Sequence, residues 1–100
     1  MRQYYLYILQ CSDGSYYTGV TNNLALRFAE HQNGLIDKCY THQRRPLKLV
    51  YSQVFQDIRE AIEREKQVKG WSRRKKEALI SGDFERLVGL SKSHPSTGSG

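Results

Sequence analysis

The beginning of the sequence contains two strand-forming segments separated by a turn, and this pattern constrains the fold more than any other. The segment QYYLYILQC at 3–11 is rich in aromatic and β-branched residues, and YYTGV at 16–20 has the same character. Between them, SDGS at 12–15 is a cluster of turn-forming residues. The sequence therefore predicts a β-hairpin.

Three helices and one more strand are predicted to follow the hairpin. Apolar periodicity predicts helices at about 24–32, 57–69 and 72–81, and the alternating pattern LKLVYSQVF predicts a strand at 47–55. The residues that mark the helix ends are Asn23, Asn33, Gly34, Asp57, Glu60, Gly70, Ser72 and Gly82. The order β-β-α-β-α-α predicts an α+β domain with a small three-stranded antiparallel sheet flanked by helices.

The sequence changes character after about residue 90. A last short apolar pattern, which we expect to fold back on the core, consists of Phe84, Leu87, Val88 and Leu90. The remaining SKSHPSTGSG is polar and low in complexity. We therefore expect one domain over residues 1–90 and a disordered tail over residues 91–100.

The net charge of the chain favours a polyanionic partner. Lys and Arg outnumber Asp and Glu by 16 to 10, which gives a charge of +6 and a pI near 9.5. Nucleic acid is the leading candidate, and an anionic membrane surface is the alternative. No apolar segment reaches the length of a membrane span, so we expect no membrane insertion.

Cysteine usage points to a reducing compartment. Cys11 and Cys39 are too few for a disulfide framework, and the first apolar run does not have the pattern of a signal peptide. We expect reduced thiols in a cytoplasmic protein. A zinc site formed by both cysteines with His31 and His42 is the weaker alternative, because the sequence has no C-x-x-C pair.

Two polar residues lie beside the apolar face of the first predicted helix. On a helical wheel, Leu24, Phe28 and His31 share one arc, and Arg27 lies at its edge one turn before His31. Arg27 and His31 are therefore predicted to face the same way, next to the core. In the purely structural alternative, Arg27 reaches solvent and His31 forms a local hydrogen bond.

The second predicted helix has a carboxylate where an apolar residue is expected. Its apolar arc consists of Ile58, Ala61, Ile62 and Val68. Glu65 falls in the middle of this arc, and an inward carboxylate needs a cation, which Arg27 or a divalent ion could supply. In the alternative without chemistry, Glu65 forms a structural ion pair with Arg27 or Lys69.

The positions of these residues match those of a known family. Two short motifs lie in the hairpin, Tyr5-Leu6-Tyr7 and Tyr17-Thr18-Gly19. Tyr7 ends the first motif and Tyr17 begins the second, ten residues later. Arg27 and His31 follow on the first helix, and Glu65 lies on the second. With these residues the chain resembles the GIY-YIG nuclease superfamily over roughly residues 3–90, most closely its small standalone bacterial members.

The resemblance implies an α+β GIY-YIG fold and a divalent-metal-dependent endonuclease that hydrolyses DNA phosphodiester bonds, acting on DNA structures in repair or processing. By the same resemblance Glu65 would hold Mg²⁺ or Mn²⁺, and Arg27 would clamp the scissile phosphate. Tyr7 or Tyr17 would activate water, and His31 would assist.

Gly19 is expected to lie near the site and to allow close approach of the substrate. Two departures favour a different function on the same fold. Val20 stands where several family nucleases have Lys, and the carboxy-terminal Asn of the family has no match here. The alternative is a nucleic-acid-binding domain with weak or absent catalysis.

Basic side chains outside the motifs are candidates for contacts with the phosphate backbone. These residues are Arg44, Arg45, Lys69, Arg73, Arg74, Lys75 and Lys76. A run of charges is also typical of a simple solvated face. We expect DNA as the partner of a monomer, with RNA also open, and an unknown protein could target the domain to its substrate.

Overall fold

A computed structural model describes residues 2–35 and 41–82 of the chain. Its elements are β1 Tyr4–Gln10, β2 Tyr16–Thr21, α1 Leu24–Gln32, β3 Lys48–Phe55, α2 Ile58–Lys69 and α3 Arg73–Ser81. The predicted β-β-α-β-α-α order is confirmed. The expected apolar segment at 84–90, the domain boundary at residue 90 and the tail at 91–100 lie outside the described residues.

The three strands form one antiparallel sheet with β1 in the centre, in the order β2-β1-β3. Tyr7 pairs with Gly19 and Leu9 pairs with Tyr17, so these four residues share one side of the sheet with Tyr5, a side that we call the tyrosine face. On the opposite face, Ile8 pairs with Thr18 of β2 and Tyr51 of β3.

The helices end where the sequence places capping residues. The Asn23 side chain accepts a hydrogen bond from the Leu26 N–H at the start of α1, and Asp57 accepts one from the Arg59 N–H at the start of α2. At α3, Ser72 is the N-cap and Gly82 is the C-cap with a positive φ of 77°. Side-chain acceptors therefore mark the starts of the helices, and a left-handed glycine marks the end of α3.

The tyrosine face and the opposite face are covered by different helices. Leu24 and Phe28 of α1 pack against a buried cluster that consists of Tyr7, Leu9, Cys11 and Leu47. Helix α2 contacts all three strands and buries Ala61 and Val68. Arg64 of α2 acts electrostatically on Tyr51, which places α2 on the opposite face.

One residue of the predicted apolar arc of α2 does not lie in the core. Ile62 is 37% exposed, whereas Ala61 and Val68 are fully buried. The prediction for Ile62 is therefore wrong. The buried stripe of α2 is narrower than the helical wheel suggested, because it passes through Ala61 and Val68, which are seven residues apart. Glu65, which lies between them in sequence, remains next to this stripe.

The chain divides into two compact units, of which the first is Met1–Lys69 and the second begins at Gly70. The described part of the second unit contains α3, and the Lys75 ammonium lies 4.2 Å from the centroid of the Trp71 ring. Among the described residues, no helix combines the length and the apolar character that are needed to cross a membrane.

Thr18 provides a test of how polar atoms are accommodated under α2. It is 3% exposed, and its hydroxyl has no hydrogen-bond partner among the described residues. A buried unpaired hydroxyl costs about 1–3 kcal/mol. We expect Thr18→Val to raise the free energy of unfolding by about 1 kcal/mol, measured by urea denaturation.

Thr21→Val is the matched control for that substitution. The Thr21 hydroxyl accepts a hydrogen bond from the Asn23 N–H at 3.1 Å and lies 3.3 Å from the Asn23 carbonyl oxygen. The control should therefore lower stability by a similar amount. If both variants lose stability, the Thr18 hydroxyl has a favourable interaction and the prediction fails.

Candidate active site

Three aromatic rings meet on the tyrosine face beneath the last turn of α1. The centroid of the His31 ring lies 5.2 Å from that of Tyr17 and 5.9 Å from that of Tyr7, and the two tyrosine centroids are 6.3 Å apart. Tyr7 is 1% and His31 2% exposed, whereas Tyr17 is half-buried. We call these residues the ring cluster. The structure thus brings together three of the five residues that the resemblance selected.

A hydrogen-bonded chain runs through the ring cluster. The Tyr7 Oη lies 3.1 Å from His31 Nε2, and His31 Nδ1 lies 2.8 Å from the Oγ1 of Thr41, which is also buried. Burial lowers the pKa of His31, the positive charge of Arg27 lowers it further, and Glu30 opposes this effect. The imidazole is therefore neutral near pH 7, so one of its ring nitrogens donates a hydrogen bond and the other accepts one.

Sequence reasoning did not find Thr41. It lies in a polar segment where no strand or helix periodicity indicates which side chains turn inward. Its burial arises from tertiary structure, since Arg44 O accepts from Ser12 N at 2.8 Å and the Gln32 amide binds both backbone polar groups of Leu47. The only sequence signal is that a threonine follows an aromatic residue there, which is too common to select a site.

The Tyr7 phenol lies directly against Gly19. A Cβ atom at this position would lie 2.5 Å from the Tyr7 Oη and 2.6 Å from Cζ. In this structure the Tyr7 phenol makes the close approach at Gly19, and the approach of substrate there stays a prediction. In this structure Gly19 is required for the position of the ring that bonds His31.

Gly19→Ala should therefore destabilise the protein and displace the Tyr7 ring. We expect the free energy of unfolding to fall by about 1–3 kcal/mol, as for other overpacked cores, when measured by urea denaturation. In a Tyr7→Leu background the same alanine should cost much less, because the clashing ring atoms are gone. Equal costs in both backgrounds would contradict this explanation.

Arg27 lies at the solvent edge of the ring cluster. Its Nε is 3.2 Å from a carboxylate oxygen of Glu30, and both side chains are substantially exposed. Since Arg27 also lowers the pKa of His31, its charge is close to the imidazole. The guanidinium is thus placed where a phosphate could exchange with Glu30 without any change in the core.

Glu65 is largely buried and pairs with a cation of its own helix. Its side chain is 19% exposed, and its carboxylate forms an ion pair with Lys69 at 3.0 Å. Arg27 pairs with Glu30, and of the cations that the sequence offered for Glu65 the structure shows Lys69. The i,i+4 spacing on one helix makes Lys69 the nearer cation.

The donor set at Glu65 fits a hard divalent cation with few protein ligands. Within the described residues, no group of three or more His, Cys, Asp or Glu side chains is placed to hold a metal. A single carboxylate suits Mg²⁺ or Mn²⁺, which retain water and take phosphate oxygens from the substrate. Cys11 is buried and Cys39 lies outside the described residues, so the zinc alternative is not tested.

The two arginines of the mid-chain segment bind the protein itself. Arg44 pairs with Asp13 at 3.1 Å, and Arg45 Nε donates to the His42 carbonyl at 2.9 Å while its guanidinium packs over Gly34. Both were predicted to contact nucleic acid. In the structure they attach the segment after residue 40 to the hairpin turn and to the end of α1, and their contact with nucleic acid stays a prediction.

The other basic residues that were predicted to contact phosphate lie on α2 and α3, and three of them have partners within the protein. Lys69 is the partner of Glu65, Arg73 pairs with Glu77 at 3.1 Å, and Lys75 lies over Trp71. Burial lowers the pKa of Lys76, and Arg74 is exposed. The last four of these cations belong to the second unit, where their contact with nucleic acid stays a prediction.

A cavity of about 490 Å³ lies at the start of α1, lined in part by Tyr5, Leu24, Phe28 and Leu49. None of the residues of the ring cluster lines it. This cavity is therefore separate from the ring cluster.

The comparison with protein families agrees with this geometry. The family model described as the GIY-YIG catalytic domain matches residues 3–78, three quarters of the chain. The chain therefore belongs to the GIY-YIG family, a family of nucleases.

Its relatives are small single-domain bacterial proteins. The UPF0213 protein SSP2268 of Staphylococcus saprophyticus is 46% identical over 81 residues, which are 81% of this chain and 98% of that protein. The UPF0213 protein CPE1444 of Clostridium perfringens is 51% identical over 92 residues, covering 86% of this chain and 98% of that protein.

Two solved structures confirm the fold. The solution NMR structure of the UPF0213 protein BH0048 from Bacillus halodurans is 44% identical and superposes with a TM-score of 0.53, covering 79% of this chain and 83% of that one. The solution NMR structure of the protein EF2693 from E. faecalis is 30% identical with a TM-score of 0.59, covering 84% and 88%.

Proposed function

We propose that this protein is a divalent-metal-dependent endonuclease that hydrolyses DNA phosphodiester bonds during the cytoplasmic processing or repair of DNA structures. Membership of a nuclease family supports the class of reaction. The observation that carries the proposal is the hydrogen bond between the Tyr7 phenol and the buried imidazole of His31. A phenol with a neutral base behind it can accept a proton from water at neutral pH.

Tyr7 and His31 together can act as the base. With a pKa near 10, an isolated phenol is a poor source of phenolate at pH 7. When the Tyr7 Oη takes a proton from the attacking water, its own proton passes to His31 Nε2 across the 3.1 Å contact. The phenol is then unchanged, the imidazole is cationic, and the hydroxide attacks phosphorus in line as the bond from phosphorus to the leaving sugar oxygen breaks. The leaving oxygen takes a proton from solvent water, and the imidazolium gives its proton back to solvent through Tyr7, which restores the neutral base.

Tyr17 has a separate role in this scheme. Tyr7 is 1% exposed, so the reacting water must enter the ring cluster past Tyr17, which is half-buried and packs beside the same imidazole. The Tyr17 hydroxyl can orient that water by a hydrogen bond. A water held in this way is also separated from bulk solvent, which strengthens the interactions made by nearby charges.

Arg27 and Glu65 supply the charges that the reaction needs. The exposed guanidinium of Arg27 can leave Glu30 and bind the non-bridging phosphate oxygens through two N–H groups. Glu65 would hold Mg²⁺ or Mn²⁺, and a bound divalent ion supplies stabilisation of negative charge at the scissile phosphate. In this scheme Lys69 must release Glu65 when the cation binds.

A cleavage panel tests the proposal. Supercoiled plasmid, nicked, flapped and branched DNA and a matched RNA are incubated with Mg²⁺, Mn²⁺ or EDTA. We expect cleaved DNA only with a divalent ion, and the preferred member of the panel identifies the substrate structure. A panel without product under all conditions overturns the proposal.

The second candidate is a nucleic-acid-binding domain without turnover, which the pairing of Glu65 with Lys69 favours, because an internal cation already satisfies the carboxylate. This candidate predicts binding whose affinity falls with salt, and no product with any ion. Fluorescence anisotropy of the same DNA set at several salt concentrations separates it from the endonuclease.

A further inference from the structure

Thr41 contacts the imidazole of His31 but has no role in the reaction proposed above. It is 1% exposed and its Oγ1 lies 2.8 Å from His31 Nδ1, on the side of the imidazole opposite Tyr7. The segment that carries it is attached at Arg44 to the hairpin turn and at Leu47 to Gln32. The segment that follows Thr41 is thus fixed by two hydrogen-bonded attachments.

The three residues can be hydrogen-bonded in two directions. In one, His31 Nδ1–H donates to the Thr41 oxygen and the Tyr7 O–H donates to Nε2. In the other, the Thr41 O–H donates to Nδ1 and Nε2–H donates to the Tyr7 oxygen. In the second arrangement, the Tyr7 phenol has no base to which it can pass its proton.

The chemistry of the two hydroxyl groups favours the first arrangement. A phenol with a pKa near 10 is a far stronger donor than an aliphatic alcohol, so it prefers to donate to the imidazole lone pair. An alcohol oxygen is the better acceptor, because the phenol oxygen shares its lone pairs with the aromatic ring. Each hydroxyl then has the role that suits it.

We propose that Thr41 is a positioning residue that holds His31 as the Nδ1–H tautomer and so directs the Nε2 lone pair at the Tyr7 phenol. Its effect on cleavage rests on the proposed function, whereas its effect on the tautomer does not. Thr41 acts only through His31 and touches no substrate. It has the orienting role that the third member of a hydrolase triad has toward its histidine.

The tautomer can be measured directly in the full chain. Nitrogen-15 NMR distinguishes protonated from unprotonated ring nitrogens, and the His31 signals are assigned by their loss in a His31→Gln variant. We expect Nδ1–H at pH 7.5 in the native protein and in Thr41→Ser. In Thr41→Val, which removes the acceptor, the Nε2–H form should become substantially populated.

Thr18→Val is the matched control, because it removes another buried threonine hydroxyl from the opposite face of the sheet. It should leave the His31 signals unchanged. Should Thr41→Val not fold, as circular dichroism would show, the native protein and Thr41→Ser still decide the matter. An Nε2–H tautomer in the native protein, or an unchanged tautomer in a folded Thr41→Val, overturns the inference.

Kinetics provide the second readout. For the DNA preferred in the cleavage panel, Thr41→Val should lower kcat about 10- to 100-fold with little change in KM, and Thr41→Ser should restore most of it. A loss that appears in KM, or that serine does not restore, contradicts the positioning role. If the native protein cleaves nothing, the proposed function fails, and the tautomer measurement still tests Thr41.

Discussion

Replacing Glu65 by glutamine should abolish metal-dependent cleavage while leaving DNA affinity nearly unchanged. Glutamine keeps the size of the side chain but removes the charge that would bind a divalent cation. We expect kcat to fall at least about 1,000-fold, equivalent to about 4 kcal/mol in the barrier. Single-turnover cleavage measures the loss, and fluorescence anisotropy measures affinity in the presence of Ca²⁺.

The matched control is Glu63→Gln, which removes the same charge from an exposed position of α2. It should retain full activity, and it also tests for a contaminating nuclease, because both variants are purified in the same way. Loss of the Glu65 ion pair with Lys69 should cost only about 0.3–0.5 kcal/mol of stability. If Glu65→Gln retains cleavage, or unfolds the protein, Glu65 is not the metal ligand.

Tyr7→Phe should produce the second large effect. The variant keeps the buried ring but removes the hydroxyl that receives the proton from water, so kcat should fall about 100- to 10,000-fold. The lost hydrogen bond to His31 should lower stability by about 1 kcal/mol, and the fold should persist. Single-turnover rates and urea denaturation measure the two quantities.

Tyr51→Phe is the control for Tyr7→Phe, since it removes a phenol from the opposite face, where burial raises the pKa of Tyr51. This control should cleave at the native rate. Tyr17→Phe distinguishes the two roles in the ring cluster, and its expected loss is smaller than that of Tyr7→Phe. A larger loss in Tyr17→Phe would make Tyr17 the base and would reduce Tyr7 to a supporting ring.

Most of the fold could be predicted because its signals are local. The hairpin follows from β-branched and aromatic segments around a four-residue turn, and Asn23, Ser72 and Gly82 cap the helices at the predicted positions. These signals depend on a few neighbouring residues. The positions of the strands and helices therefore change little when the chain packs into its tertiary structure. The same applies to the shared direction of His31 and Arg27 on one side of α1.

The contacts within the site could be predicted only in part. A helical wheel shows that Glu65 turns inward, but it cannot rank the cations within reach, and Lys69 on the same helix is closer than Arg27 on another. Thr41 reaches His31 because two separate attachments hold its segment, a property of the assembled fold. Arg45 shows the same limit, since one of its partner carbonyls, that of Gln32, lies at the end of α1.

The ion pair of Arg27 with Glu30 has a consequence for selectivity among anions. The guanidinium already has a tethered carboxylate as its partner, so an incoming anion must compete with a group whose local concentration is high. A free phosphate or nucleotide gains little from this exchange, whereas a polynucleotide adds contacts along its length. If Arg27 binds the scissile phosphate as proposed, Glu30 would thereby act as a built-in competitor that favours a polynucleotide over a small anion at this position.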